Sequence, residues 1–293
     1  MSTTLMSKRL LAPIASLLIP VILWWVWPYS RGMAYSLYRA YEKQRTLHAL
    51  NGYANKESAH FDLWYTNADA YNVDLILQTA EAVYGPVEKL MGTQAIDKVP
   101  LIVYADRGVL RKAFGWGSSE SAMGVYWTGT IRLLSPNAWI SSQNQNTRQR
   151  VFTELNPIAH ELTHYLLDYM TNGNYPRWFT EGLAQQVEHQ VTGYLWLEPQ
   201  STLRQPLYTL DDLQSRFDQL SNQPLAYRES YLLVDYLSKT YGEKELAALV
   251  QRLAKGVPFD DAIHQTFGKT MAQVFADWQT WVHAHLDQID PMD

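Results

Sequence analysis

The chain has no cysteine among its 293 residues, which excludes disulfide frameworks, thiolate zinc knuckles, iron–sulfur clusters and cysteine nucleophiles. Any metal must rest on His, Asp and Glu. The sequence has no long stripe of Lys or Arg, and its formal net charge of -5 gives no general attraction for nucleic acid. No internal repeat and no low-complexity tract is found, so a repeat array is excluded. Apolar material is ample: 47% of the residues are hydrophobic, enough to fill one large domain or two smaller lobes. The eleven Trp and nineteen Tyr are read as core material first, because aromatic side chains mostly fill interiors.

The first thirty residues differ from the rest. Lys8 and Arg9 precede Leu10 to Trp27, a run without charge that as a helix would reach about 27 Å, close to a bilayer core of roughly 30 Å. Pro13 and Pro20 argue against a soluble core helix. Trp24, Trp25, Trp27 and Tyr29 cluster at one end like an interfacial belt, and Pro28 stops the run. The segment reads as a single-pass membrane anchor. A cleaved leader is the alternative, because Gly32-Met33-Ala34 offers small residues at signal-peptidase spacing. Lys8 and Arg9 favour a body outside the membrane, whereas Arg31, Arg39, Lys43 and Arg45 favour the opposite. The expected location is the cell membrane with an extracytoplasmic body.

Residues 31–57 read as a polar, partly helical connector, and the folded body is expected over 58–287, with an α+β lobe at 58–146 and a helical lobe at 147–287. His60 to Tyr65 suits a strand running into a helix start at Thr66 to Asp69. Val73, Ile76, Leu77, Ala80, Val83, Tyr84 and Val87 recur at helical spacing up to Gly92. Pro100 to Tyr104 reads as a second strand and Gly124 to Leu134 as a third strand or hairpin. From Arg148 onward the pattern is helical: Val151 to Met170, Thr180 to Gln190, Leu210 to Leu220, Ala226 to Tyr241, Glu243 to Leu253 and Met271 to Leu286. A mixed sheet lobe followed by a helical lobe implies a cleft where they meet.

At that junction stands His160-Glu161-Leu162-Thr163-His164. On a helix, residues four apart share a face, so His160 and His164 can present two imidazoles to one ion. Glu161 lies about 100° round from His160, beside the metal and free to take a proton from metal-activated water. Catalytic zinc needs a third protein ligand, and Glu181 in Trp178-Phe179-Thr180-Glu181-Gly182-Leu183-Ala184 is the candidate. Asn172 to Pro176 supplies the turn that returns the chain antiparallel. The third histidine of the metzincin pattern is absent.

HELTH followed, after sixteen intervening residues, by the Glu of WFTEGLA resembles the gluzincin zinc peptidases, and within them the bacterial peptidase MA-like domains. The likeness extends over roughly residues 58–287, through the HFDLWY strand, the Gly124 to Leu134 stretch and AYRESYLLVDYLSKTYG. It implies an α+β zincin with a thermolysin-like core, Zn2+ held by His160, His164 and Glu181, and Glu161 as general base toward a peptide or protein substrate. It further implies a Tyr or His oxyanion donor from the helical lobe, with Tyr227 and Tyr231 as candidates. An acid one turn after the glutamate ligand can orient a ligand histidine in such relatives. Gln185 stands there, and Asp168, one turn after His164, is the alternative. The Gly124 to Leu134 strand, if a sheet edge, could pair with an extended substrate. A noncatalytic cell-envelope binding module on the same scaffold is the second functional reading.

Overall fold

The computed structural model describes residues 31–117 and 122–291. The expected membrane segment, residues 1–30, lies outside the described residues. Among those described, no helix is long and apolar enough to cross a membrane.

The chain begins with helix α1 (residues 31–48) and continues through strands β1 (Ala54–Glu57) and β2 (Phe61–Tyr65), helix α2 (Val73–Met91), β3 (Val99–Tyr104), α3 (Arg107–Phe114) and a hairpin of β4 (Gly124–Trp127) and β5 (Thr130–Leu134). Eight helices follow: α4 (Gln145–Leu155), α5 (Ile158–Thr171), α6 (Arg177–Thr192), α7 (Leu210–Ser215), α8 (Gln223–Tyr241), α9 (Glu243–Ala254), α10 (Phe259–Phe267) and α11 (Met271–Ile289). The fold is α+β, mostly helical with one small mixed sheet.

The sheet order is β1-β2-β3-β5-β4. The inner strands β2, β3 and β5 are parallel, and β1 and β4 close the edges antiparallel. Every residue of β3 and β5 is buried, as a strand covered on both faces requires. On one face Phe61, Leu63, Leu101, Val103, Ile131 and Leu133 join the main core with α2, α5, α6 and α8. On the other, Ile102, Tyr104 and Leu134 meet Leu110 and Phe114 of α3 and Leu47 of α1.

Three boundaries differ from the sequence reading. The connector is part of the fold: β1 pairs with β2, so the sheet starts before Ser58, and α1 packs on α5 through Arg39. The helix expected over Val151 to Met170 is two helices, α4 and α5, broken at Asn156-Pro157. Pro157 has no N–H to continue the ladder, and the Asn156 side chain accepts from Ile158 N at 3.0 Å to start the new helix. Leu210 to Leu220 is likewise one short helix and a single 3-10 turn. Helices α3 and α10 were not legible as such. Their stretches are short, and only one and two residues respectively are buried, too few to set a period.

Two close approaches position the elements that matter. Gly124 of β4 lies on the first turn of α5, where a Cβ would fall 2.6 Å from Pro157 Cγ and 2.9 Å from Glu161 Cγ. Gly182 of α6 faces α8, and a Cβ there would overlap the Ser230 carbonyl. Only glycine permits either contact.

One buried carboxyl in α8 makes stability depend on pH. Glu229 is fully buried; its Oε1 accepts from Tyr208 N at 3.0 Å and its Oε2 has no partner. Burial pushes its pKa up to about 8. The folded state therefore holds a proton that the unfolded chain releases near the ordinary carboxylate range, so stability is complete below that range and falls as pH rises through about 8. Glu229→Gln is expected to raise Tm at pH values above that titration and to leave it unchanged in acid. A Tm gain of equal size in acid would refute this account.

Candidate metal centre

Helix α5 places His160 in its first turn and His164 one turn on. Asn172 adopts a left-handed conformation (φ 52°), as does Gly173 (φ 73°), and Pro176 caps α6. This turn folds α6 back against α5 and brings Glu181 to both histidines. The three donor atoms form a triangle: His160 Nε2 to His164 Nε2 is 3.0 Å, His160 Nε2 to Glu181 Oε2 is 3.3 Å, and His164 Nε2 to Glu181 Oε2 is 3.5 Å.

These atoms fit a tetrahedral ion. Zinc bonds near 2.0–2.2 Å at tetrahedral angles put neighbouring donors about 3.4 Å apart, and the triangle brackets that value. Glu181 Oε2 is buried without a hydrogen-bond donor, an arrangement that is costly unless a cation faces it. Its other oxygen is taken: Arg177 Nη2 lies 2.9 Å from Oε1. The carboxylate therefore offers one free oxygen to the vertex.

Both imidazoles are aimed by their outer nitrogens. His164 Nδ1 meets Thr180 Oγ1 at 2.6 Å, and His160 Nδ1 meets Glu188 Oε2 at 3.3 Å. In the neutral, ion-binding form, with those oxygens accepting from Nδ1–H, each Nε2 lone pair points to the shared vertex. The residues expected for this task do something else. Gln185 donates to the carbonyls of Tyr227 (2.8 Å) and Glu181 (3.3 Å). Asp168 is fully buried and takes Arg39 Nη1 at 2.8 Å, Tyr126 Oη at 2.6 Å, Tyr35 Oη at 2.8 Å and Tyr175 Oη at 3.3 Å. Glu188 lies seven positions after Glu181 and so shares its stripe of α6, which is the signal that could have found it.

The electrostatics favour positive charge at the vertex. Burial opposes protonation of His160, but Glu181 and Glu188 outweigh it and hold its pKa well above the usual imidazole range. Burial also disfavours the Glu181 carboxylate, yet Arg177 and the two histidines reverse this and keep it ionised. Glu161 is the exception. Burial raises its pKa against the pull of the imidazoles, which suits a group that must take up a proton.

Glu161 is not a member of the triangle. Its Oε2 accepts from Tyr126 N at 2.6 Å, which ties it to the edge strand. Along β4 the register and the Leu134 N to Met123 O bond direct alternate residues toward β5, leaving the backbone groups of Gly124 and Tyr126 facing outward. The Gly124 to Leu134 stretch is thus a hairpin with its first strand at the sheet edge, beside the catalytic candidate. Of the two tyrosines, Tyr227 is acted on by Glu181, Arg177 and Glu161 after burial, and its pKa is raised. Tyr231 is pushed up to about 12 by burial and then by Asp235, and it packs against His189. Only Tyr227 therefore shares the field of the site.

The family model described as the peptidase MA superfamily matches residues 86–284. No curated protein matches the chain.

Proposed function

The chain belongs to the peptidase MA superfamily, and from that membership and the donor triangle we propose that it is a zinc-dependent peptidase. The observation that carries the reading is the convergence of His160 Nε2, His164 Nε2 and a buried, donor-free Glu181 Oε2. When bound there, zinc supplies Lewis acidity toward a water and a peptide carbonyl. The residues of the chain do the rest. Glu161 accepts the proton of the attacking water and returns it to the leaving amine. Arg177 holds Glu181 to one free oxygen, and Thr180 and Glu188 fix the imidazole tautomers. Tyr227 donates to the developing oxyanion. The outward backbone groups of Gly124 and the Tyr126 carbonyl, the Tyr126 N–H being held by Glu161, pair with an extended substrate, adding main-chain hydrogen bonds with little demand on sequence.

Metal analysis at neutral pH with peptide-library cleavage tests this. One zinc per chain is expected, with hydrolysis lost on chelation and restored by zinc. Because the ion would bind the folded state, removing it should also lower Tm, the folded state losing about 2.7 kcal/mol of stability relative to zinc at 100 times its Kd. A chain that binds no zinc overturns the proposal. One that binds zinc and cleaves nothing is a binding module on this scaffold.

We also propose that residues 10–27 anchor the chain in the membrane with the catalytic body outside. A reporter fused after residue 50 should be active only on the extracytoplasmic side, and a cytoplasmic signal would reverse the orientation.

A further inference from the structure

Helix α1 is inverted. Over residues 33–42 its charged residues Arg39 and Glu42 and the hydrogen-bonded Tyr35 face the protein, and Met33, Leu37, Tyr38 and Tyr41 face out. Arg39 is buried against Asp168, with its guanidinium 3.9 Å from the ring centre of Tyr169 and a further bond to Asn172. Tyr35 donates to Asp168, and Glu42 is buried. On the opposite side Met33 (63% exposed), Leu37 (65%), Tyr38 (48%) and Tyr41 (65%) form a stripe at helical spacing. The outward side is polar at its ends, with Arg31 before the stripe and Gln44 and Arg45 after it, all exposed.

A helix in water is expected to show the reverse arrangement. Exposed apolar side chains are ordinary when scattered, but a continuous stripe marks a contact surface. The chain itself indicates what covers this one. The uncharged run Leu10 to Trp27 ends four positions before Arg31, and Trp24, Trp25 and Trp27 at its end, with Tyr29 just beyond, are side chains that collect at a bilayer interface. A helix that follows such a run directly, with Met, Leu and Tyr outward and Arg31 and Arg45 flanking them, has the composition of a segment lying in the headgroup boundary.

We infer that the outer face of α1 seats on the lipid bilayer, resting on the proposal that residues 10–27 enter it. The inner face makes this seat a fixed mount. Asp168 and Glu161 are seven residues apart on α5, about 10 Å along the axis, and the β4–β5 hairpin is also tied to α1, with Arg132 Nη2 donating to Thr46 Oγ1 at 3.1 Å. The catalytic carboxylate and the edge strand are therefore held at a set height above the membrane. Substrates within reach are extended segments of chain close to the bilayer surface.

The absence of cysteine allows a direct test on the full-length protein in vesicles of phosphatidylcholine and phosphatidylglycerol. Single variants Met33→Cys, Leu37→Cys and Tyr41→Cys are labelled with an environment-sensitive fluorophore, beside Leu17→Cys in the apolar run and Ile96→Cys, an 89% exposed position on the body. Labels at 33, 37 and 41 should shift to the blue, lose fluorescence to bromine on the acyl chains and be shielded from aqueous iodide. The label at 96 should respond only to iodide. If the label at 17 meets acyl chains while those on α1 meet iodide, the inference on α1 fails and the anchor stands. If 17 also meets iodide, both fail. Labels on α1 shielded from both quenchers, with cross-linking between Leu37→Cys copies, would assign the face to a second copy of the chain instead.

Discussion

Glu161→Gln is expected to retain zinc at wild-type stoichiometry and to lose hydrolysis by about 10²–10⁴-fold, the range for removal of a positioned general acid–base group. The separation of the two effects follows from geometry. Glu161 accepts from Tyr126 N and is absent from the cluster formed by His160, His164 and Glu181. Glutamine preserves the shape and the acceptor toward Tyr126 but cannot take a proton from water. Burial raises the Glu161 pKa, so the acidic limb of the wild-type rate profile should lie above the ordinary carboxylate range, and glutamine should abolish that limb along with the rate. If the variant loses its zinc, Glu161 belongs to the ligand set and its assignment as base is wrong. If it keeps full activity, the proton passes through another group.

Asp168→Ala is expected to be the most damaging substitution outside the His160, His164 and Glu181 cluster. The carboxylate has no exposure and accepts from one guanidinium and three tyrosines. Its removal leaves Arg39 charged and buried and several hydroxyls without a partner. Breaking a buried pair from one side costs about 3–5 kcal/mol, and for a domain of this size that corresponds to roughly 6–20 °C in Tm. The loss should reach the active site as well, because the Tyr126 ring and the Tyr126 N–H that meets Glu161 belong to one residue. A double-mutant cycle with Arg39→Met should show strong coupling, the second change costing far less in the Asp168→Ala background. Independent, additive losses would mean that the two residues do not act as a pair.

The grouping of His160, His164 and Glu181 was legible in the sequence because its geometry is local. Histidines four apart share a helix face wherever that helix lies, and Asn172 and Gly173 announce the turn that returns Glu181. The orienting residues were not. Whether Gln185 or Glu188 meets an imidazole depends on how α5 and α6 cross, and that crossing is set by packing across both helices. The same reasoning explains Asp168, which in sequence resembles a solvated helix residue. Its partner Arg39 lies 129 positions away, in a stretch whose polar composition suggested a linker. Charges in such a segment look solvent-directed until the surface receiving them is known. The break at Pro157 was legible in principle, but the apolar period across Val151 to Met170 outweighed one proline.

The contact at Gly182 has a mechanical consequence. A methyl group at position 182 would overlap the Ser230 carbonyl, so the bare Gly182 backbone sets how closely α6 and α8 approach. Glu181 precedes that contact by one residue on α6, and Tyr227 stands three before Ser230 on α8. A larger residue at position 182 would therefore push α6 away from α8 and widen the spacing between Glu181 and Tyr227.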